Sequence, residues 1–331
     1  ISGNIVAYTL ARFDDDDILV YDISIGLTKQ ITDPLNRQFA LRRDPAVDGR
    51  YVVWQDNRAG SFDVFCYDLE TDTEYLISHD GSYPAAGDQI YPAVHGNLVV
   101  WEDYRDPDDP DIYLYDLNWL GTDADGFEIP IDDRLSLPVD VRAEQAFPDV
   151  YGKYVVCNEA LSTDLGDQNI IVWDLELGEA VWQTIDTARQ ERARIDGTRV
   201  VWEDSRNGNI DIFTYDLTMG IEEAVTDNPA IQFLCDISGN RIVWTDLRNI
   251  SEEHRANYDI YMAEPAAEIA VNPTELNFGD VELGQSSLLI ATISNLGGSP
   301  LEITVDRWES GNHWFDFSYT PTTATVDPGS Q

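Results

Sequence analysis

Residues Val200 to Leu217 read VVWEDSRNGNIDIFTYDL. A β-branched run ends in Trp202, a polar turn holds Asp204 and Arg206, and an aromatic-rich run follows from Asp211 to Leu217. The unit returns as VVWQDNR…DVFCYDL from Val52, VVWEDYR…DIYLYDL from Val99 and IVWTDLR…YDIYMAE from Ile242. Weaker copies begin at Ile5 (IVAYTLAR) and Val155 (VVCNEAL). The residues closing the first run are Tyr8, Trp54, Trp101, Cys157, Trp202 and Trp244, with separations of 46, 47, 56, 45 and 42. That period is the length of a four-stranded propeller blade.

Each repeat lays out as four short strands. A Pro-x-Val strand comes first (Pro45–Val47, Pro92–Val94, Pro148–Val150). A glycine turn follows at Gly3, Gly49, Gly96, Gly152, Gly197 and Gly239, where a tight hairpin asks for positive φ. The Val-Val-Trp run is apolar on successive residues, as in a strand covered on both faces. The Asp-Ile-Tyr-x-Tyr-Asp-Leu run is rich in strand-favouring aromatics. A short outer strand closes the unit, as at Glu74–Ser78 and Glu222–Thr226. Such sheets bury their faces only against one another, in radial array. The expectation is an all-β chain: a six-bladed β-propeller over residues 1–264, then a second module over 265–331.

Two places break the repeat. Residues 118–141 carry an insertion, and the fourth copy has Cys157, Glu159 and Leu161 in place of Trp, Asp and Arg. The ISGN at 1–4 matches ISGN at 237–240, so the chain begins in mid-pattern. A processed or trimmed piece, with further repeat upstream, is expected. From Ile269 the text alternates between strands and Gly-Gly or Asn-Pro turns, as half of an immunoglobulin-type sandwich would. It stops at Gln331 with no final hairpin. Either it was cut there or a neighbour completes the sheet.

The chain has 62 Asp and Glu against 20 Lys and Arg, a net charge of −42, and lysine only at Lys29 and Lys153. Nucleic acid and anionic membrane surfaces are excluded as partners by repulsion; cations of a salty or calcium-bearing medium would screen such a surface. Cys66, Cys157 and Cys235 fall in strands of three different repeats, which fits small core residues and neither a disulfide framework nor a zinc site. No apolar run is long enough to span a bilayer.

The W-x-D-x-R…D-I-Y-x-Y-D-L repeat resembles the TolB-like propeller repeats of prokaryotic cell-surface proteins, over roughly residues 1–264. Residues 269–331 are similar to Ig-like modules of the abnormal-spindle/hydin (choice-of-anchor D) type, whose signature aligns with Pro273, Leu276, Phe278, Gly279, Val281 and Gly284. The resemblance implies an exported, multi-domain surface protein used for binding or assembly, its partners other surface proteins or copies of itself.

The repeated pairs Asp56/Arg58, Asp103/Arg105, Asp204/Arg206 and Asp246/Arg248, each following a Trp (Trp54, Trp101, Trp202, Trp244), are read as structural. A charge-assisted bond there would tie the turn to the Asp opening the next strand (Asp63, Asp111, Asp211, Asp259). A group present in most blades serves the blade, whereas catalysis needs one asymmetric constellation. Asp123, Asp125 and Glu128 around Gly126 form a candidate Ca2+ loop, since that ion takes six to eight oxygens. The acidic turns Asp14–Asp17 and Asp106–Asp111 are weaker candidates.

Ligand-spaced histidines, a nucleophile elbow and a phosphate loop are absent from the sequence. The reading is a non-enzymatic binding scaffold, its Ig-like module a spacer or a strand-donating joint. The alternative is a carbohydrate-binding or carbohydrate-active propeller, with Trp119, Trp182 and Trp308 as sugar-stacking candidates and a carboxylate pair hidden among many.

Overall fold

The computed structural model describes residues 1–12, 15–32, 40–78, 87–107, 110–120, 129–130, 144–160, 168–250, 258–264, 269–272, 292–295, 301–304 and 323–326. Apart from one 3-10 turn at Leu117–Trp119, the regular elements are strands.

Six antiparallel sheets follow in chain order, each a simple meander. Sheet one has Ile5–Leu10, Asp17–Asp22 and Leu27–Gln30. Sheet two has Arg42–Asp48, Tyr51–Asp56, Asp63–Asp68 and Thr73–Leu76. Sheet three has Gln89–His95, Leu98–Asp103, Asp111–Asp116 and the two-residue strand Ile129–Pro130. Sheet four has Glu144–Tyr151, Tyr154–Ala160, Gln168–Asp174 and Glu179–Gln183. Sheet five has Gln190–Asp196, Arg199–Asp204, Asp211–Asp216 and Ile221–Ala224. Sheet six has Gln232–Ser238, Arg241–Asp246 and Asp259–Ala263. Sheet one begins at what is the second strand of a full repeat. The architecture is all-β and consistent with a six-bladed, open propeller.

The strand alternation explains why the sheets stack. In sheet two, Val52 and Trp54 face sheet one and pack with Ile18 and Val20. Val53 points the other way and meets Val99 and Trp101 of sheet three. Val100 continues the series against Val155, Cys157 and Trp173 of sheet four, and Val156 against Val200, Trp202 and Phe213 of sheet five. Each Trp thus faces the preceding sheet, and each neighbouring Val the following one. Trp54, Trp101 and Trp202 are fully buried. The three cysteines are buried and unbridged.

Two turn devices repeat. The glycine hairpins hold φ near +55 to +65°, as at Gly49 (54°) and Gly197 (64°). In sheets two, four and five the Asp closing the third strand caps the next turn by accepting backbone N–H groups: Asp68 from Glu70, Asp174 from Glu176 and Leu177, Asp216 from Thr218 and Met219.

The chain divides into two compact units, Ile1–Asp236 with Trp244–Ile260, and Ile237–Val243 with Tyr261–Gln331. In the second unit Ile269–Asn272 pairs with Thr292–Asn295, and Leu301–Thr304 with Thr323–Val326. Among the described residues these are two separate two-stranded pieces. The signature residues Pro273, Leu276, Phe278, Gly279, Val281 and Gly284 lie outside the described residues.

Candidate functional site

The repeated motif is a clasp closed on one carboxylate. Trp54, Trp101, Trp202 and Trp244 donate Nε1–H to the Asp two residues on, at 3.4, 3.0, 2.9 and 3.0 Å. The other carboxylate oxygen takes the backbone N–H of the motif Arg, at 2.8 to 2.9 Å. The Arg side chain returns to the same Asp, as Nη2 of Arg206 does to Asp204 at 2.6 Å. Its guanidinium lies over the ring opposite the Trp: Arg58 on Phe65 at 4.2 Å, Arg105 on Tyr113 at 4.5 Å, Arg206 on Phe213 at 4.4 Å.

In sheets two and five the expected tie from Arg to the Asp opening the next strand gives way to another. Arg58 and Arg206 reach the outer strand at Glu74 (2.6 Å) and Glu222 (2.5 Å). Asp211 instead accepts from Asn207, Asn209 and Thr226. Burial pulls the Asp246 carboxyl up, but bonds from Arg248 and Trp244 outweigh it and hold it at about 2. At Asp103 burial dominates and the carboxyl is raised. Arg248 sends both Nε (2.9 Å) and Nη2 (2.6 Å) to its Asp, while Nη2 of Arg105 stands 3.0 Å from Asp103.

Sheet two adds a buried cation. Nε of Arg42 meets Asp56 at 2.9 Å, and its Nη1 meets Asp15 at 3.1 Å and the Asp16 carbonyl at 2.7 Å. Arg12 holds Asp17 at 3.1 Å and Arg43 holds Asp16 at 3.4 Å. The acidic turn read as a weak calcium candidate is thus neutralised by arginine at Asp15, Asp16 and Asp17; Asp14 lies outside the described residues. Among the described residues, no three His, Cys, Asp or Glu are grouped to hold a metal. Asp123, Asp125 and Glu128 are outside them too.

A second repeated device lies on the first strands, and the sequence gives it no obvious mark. Asp44, Tyr91, Phe147, Arg192 and Leu234 all have φ between 50 and 56°, left-handed for non-glycine residues. In sheets two to five the residue falls inside a ladder irregularity, between Arg43 and Ala46, Ile90 and Ala93, Ala146 and Asp149, or Glu191 and Arg194. Each such bulge costs on the order of 1–3 kcal/mol and persists where surroundings fix it. The fixing group is the residue between Trp and Asp on the preceding sheet. Gln55 accepts the N–H of Tyr91 (2.8 Å), Glu102 that of Phe147 (3.1 Å), Asn158 that of Arg192 (3.0 Å) and Glu203 that of Leu234 (2.8 Å). These latches join sheets two to six in succession. A polar residue at a fully buried strand position in four copies was the available signal.

The backbone of this row repeats and its side chains do not. The Tyr91 and Phe147 rings lie 5.0 Å apart, and the Arg192 guanidinium sits 5.2 Å over Phe147. Tyr91 and Leu234 are exposed, and Phe147 and Arg192 half-buried. Burial raises the Tyr91 phenol, helped by the charges of Asp44 and Glu102. Asp44 is itself raised by desolvation. The chemistry on offer is aromatic and cationic contact area on a rigid, strained edge.

Sheet four departs from the pattern. Cys157 stands at the Trp position and pairs with Ile171, where sheets two, three and five have an aromatic ring. Burial raises the Glu159 carboxyl. Trp182, a sugar-stacking candidate, is stacked on Tyr215 at 4.3 Å and tilted on Trp202 at 5.4 Å, so it packs between sheets. Trp308 and the Trp119 side chain lie outside the description.

The fold and this arrangement define a β-propeller of stacked, latched blades. The chain is similar to the propeller domain of the trilobed protease from Pyrococcus furiosus, with an open velcro topology, at TM-score 0.53 and 14% identity over 78% of this chain and 75% of that one. It is similar to a prolyl endopeptidase structure at TM-score 0.55 and 13% identity over 80% of this chain, and spans 40% of that protein's length. A TolB structure from Agrobacterium tumefaciens aligns at TM-score 0.50 and 13% identity, covering 73% and 78% of the two chains. At such identities the likeness is one of fold. No family model and no curated protein matches the sequence.

Proposed function

We propose that the chain is a non-catalytic propeller scaffold that binds protein segments on the face bearing Asp44, Tyr91, Phe147, Arg192 and Leu234. The observation that supports this is a constant backbone device carrying five different side chains. Constant geometry with variable chemistry is how a scaffold displays a recognition surface. Tyr and Arg are also the types that dominate binding hot spots. A TolB-like relationship, an exported location and an Ig-like spacer at 265–331 belong to the same proposal. The acidic composition supports the location. Among the described residues no helix is long and apolar enough to cross a membrane.

The test is selection of peptides from a random displayed library against the full chain, followed by Tyr91→Ala/Phe147→Ala/Arg192→Ala. The expected result is binders that lose at least tenfold in affinity on the triple variant while its circular dichroism is unchanged. An empty selection, or binders indifferent to all three substitutions, contradicts the proposal.

A further inference from the structure

A short stack of rings runs along the first strands, and Arg192 closes one end of it. Its guanidinium lies 5.2 Å over Phe147, whose ring stands 5.0 Å from that of Tyr91. At the other end Tyr91 is 38% exposed. The next residue of the row, on the neighbouring first strand, is the exposed Asp44. Burial and then the charge of Asp44 raise the Tyr91 phenol, so the two groups are electrostatic neighbours. Arg43, beside Asp44 in the chain, turns to Asp16 at 3.4 Å. The stack thus carries a cation at one end and a carboxylate at the other.

A ring beside a carboxylate is this chain's own recurring seat for a guanidinium. Arg58 lies on Phe65 and pairs with Asp56, Arg105 lies on Tyr113 and pairs with Asp103, and Arg206 lies on Phe213 and pairs with Asp204. The ring takes the flat face of the cation, and the carboxylate takes its N–H edge. Tyr91 and Asp44 offer the same two halves on the exposed row. The net charge of −42 adds a long-range attraction for basic chains.

We propose that the Asp44–Tyr91 end of the row receives the guanidinium of an arginine on a basic segment of a partner protein, as Arg192 occupies the other end in cis. This rests on the protein-binding reading of that face.

The experiment is fluorescence anisotropy of the full chain with a fluorescein-labelled peptide of alternating glycine and arginine, and with its citrulline isostere. Ionic strength is held at about 0.15 M, where attraction between distant exposed charges is largely screened. The arginine peptide should bind, and the citrulline peptide should be weaker by at least about tenfold. Tyr91→Leu installs the residue that sheet six carries at the equivalent position, Leu234. It should weaken the arginine peptide about two- to fivefold, the size of one exposed cation–π contact, and Tyr91→Phe should restore affinity with the ring. Asp44→Asn should weaken binding about two- to fivefold, as for one exposed ion pair. Glu223→Gln removes one exposed charge from the outer strand of sheet five and should leave affinity unchanged. Equal binding of the two peptides, an unchanged affinity in Tyr91→Leu, or an Asp44→Asn loss no larger than that of Glu223→Gln overturns the proposal. If these controls fail while library-selected peptides still depend on Phe147, the arginine seat falls and the binding face stands.

Discussion

Trp202 donates its indole Nε1–H to Oδ2 of Asp204, two residues along the same strand, at 2.9 Å. Arg206 returns to the same oxygen at 2.6 Å, so a fully buried indole and a half-buried guanidinium converge on one buried carboxylate. Asp204→Ala strands both donors and should cost about 3–5 kcal/mol in urea unfolding. Trp202→Phe keeps most of the apolar bulk and removes one donor. It should cost less, at about 1–3 kcal/mol.

The latch is tested by its own internal variation. Glu203 holds the Leu234 N–H, and Gln55 does the same work for Tyr91 with a neutral amide. Glu203→Gln should therefore be close to neutral. Glu203→Ala leaves a buried N–H unpaired and should lower stability by about 1–3 kcal/mol.

The left-handed residues predict a reversal of the usual order of substitutions. Leu234 is exposed at φ 52°. Leu234→Gly should be neutral or stabilising by up to about 1 kcal/mol, because glycine populates that region freely. Leu234→Val should destabilise, a β-branched residue being the least suited there. Thermal melts of the two variants should bracket the parent.

Acid dependence follows from two aspartates shifted in opposite directions. Burial pushes Asp149 up to about 6 despite Arg194 and the Ile195 N–H, with Asp236 adding to the rise. A carboxyl raised in the fold contributes stability below its unfolded value of 3.8, and that contribution is lost as pH climbs through about 6. Asp246, held at about 2, contributes above 3.8 and loses its contribution only as pH falls through about 2. Melting temperature should rise from pH 7.5 to pH 5, and Asp149→Asn should flatten that rise.

Calcium remains attached to Asp123, Asp125 and Glu128 as a proposal. Chelator should lower the Tm of the full chain and added Ca2+ restore it by mass action; Asp125→Asn should remove the response.

The blades were legible because their period is covalent: Trp54, Trp101, Trp202 and Trp244 mark it in plain residues, and alternation within Val-Val-Trp says that both faces are covered. The arginine's destination was not, since Glu74 and Glu222 lie sixteen residues downstream on strands whose register no local pattern encodes. The left-handed row was hidden for a stronger reason. Tyr91 and Phe147 precede proline, which ordinarily favours extended backbone, and nothing local predicts positive φ at such residues. At these two residues it is held by Gln55 and Glu102 of the preceding sheet, far away in sequence.

Sheets two to six are locked in succession through Gln55, Glu102, Asn158 and Glu203. Native-state hydrogen exchange of the Tyr91, Phe147, Arg192 and Leu234 amides tests it most directly. The Tyr91, Phe147 and Arg192 N–H groups lie at irregularities in their own ladders, and all four have side-chain acceptors on the neighbouring sheet. Protection matching that of the core amides of Val53 and Val201 is the predicted result. Exchange at the rate of exposed turns, with the core still protected, would contradict it.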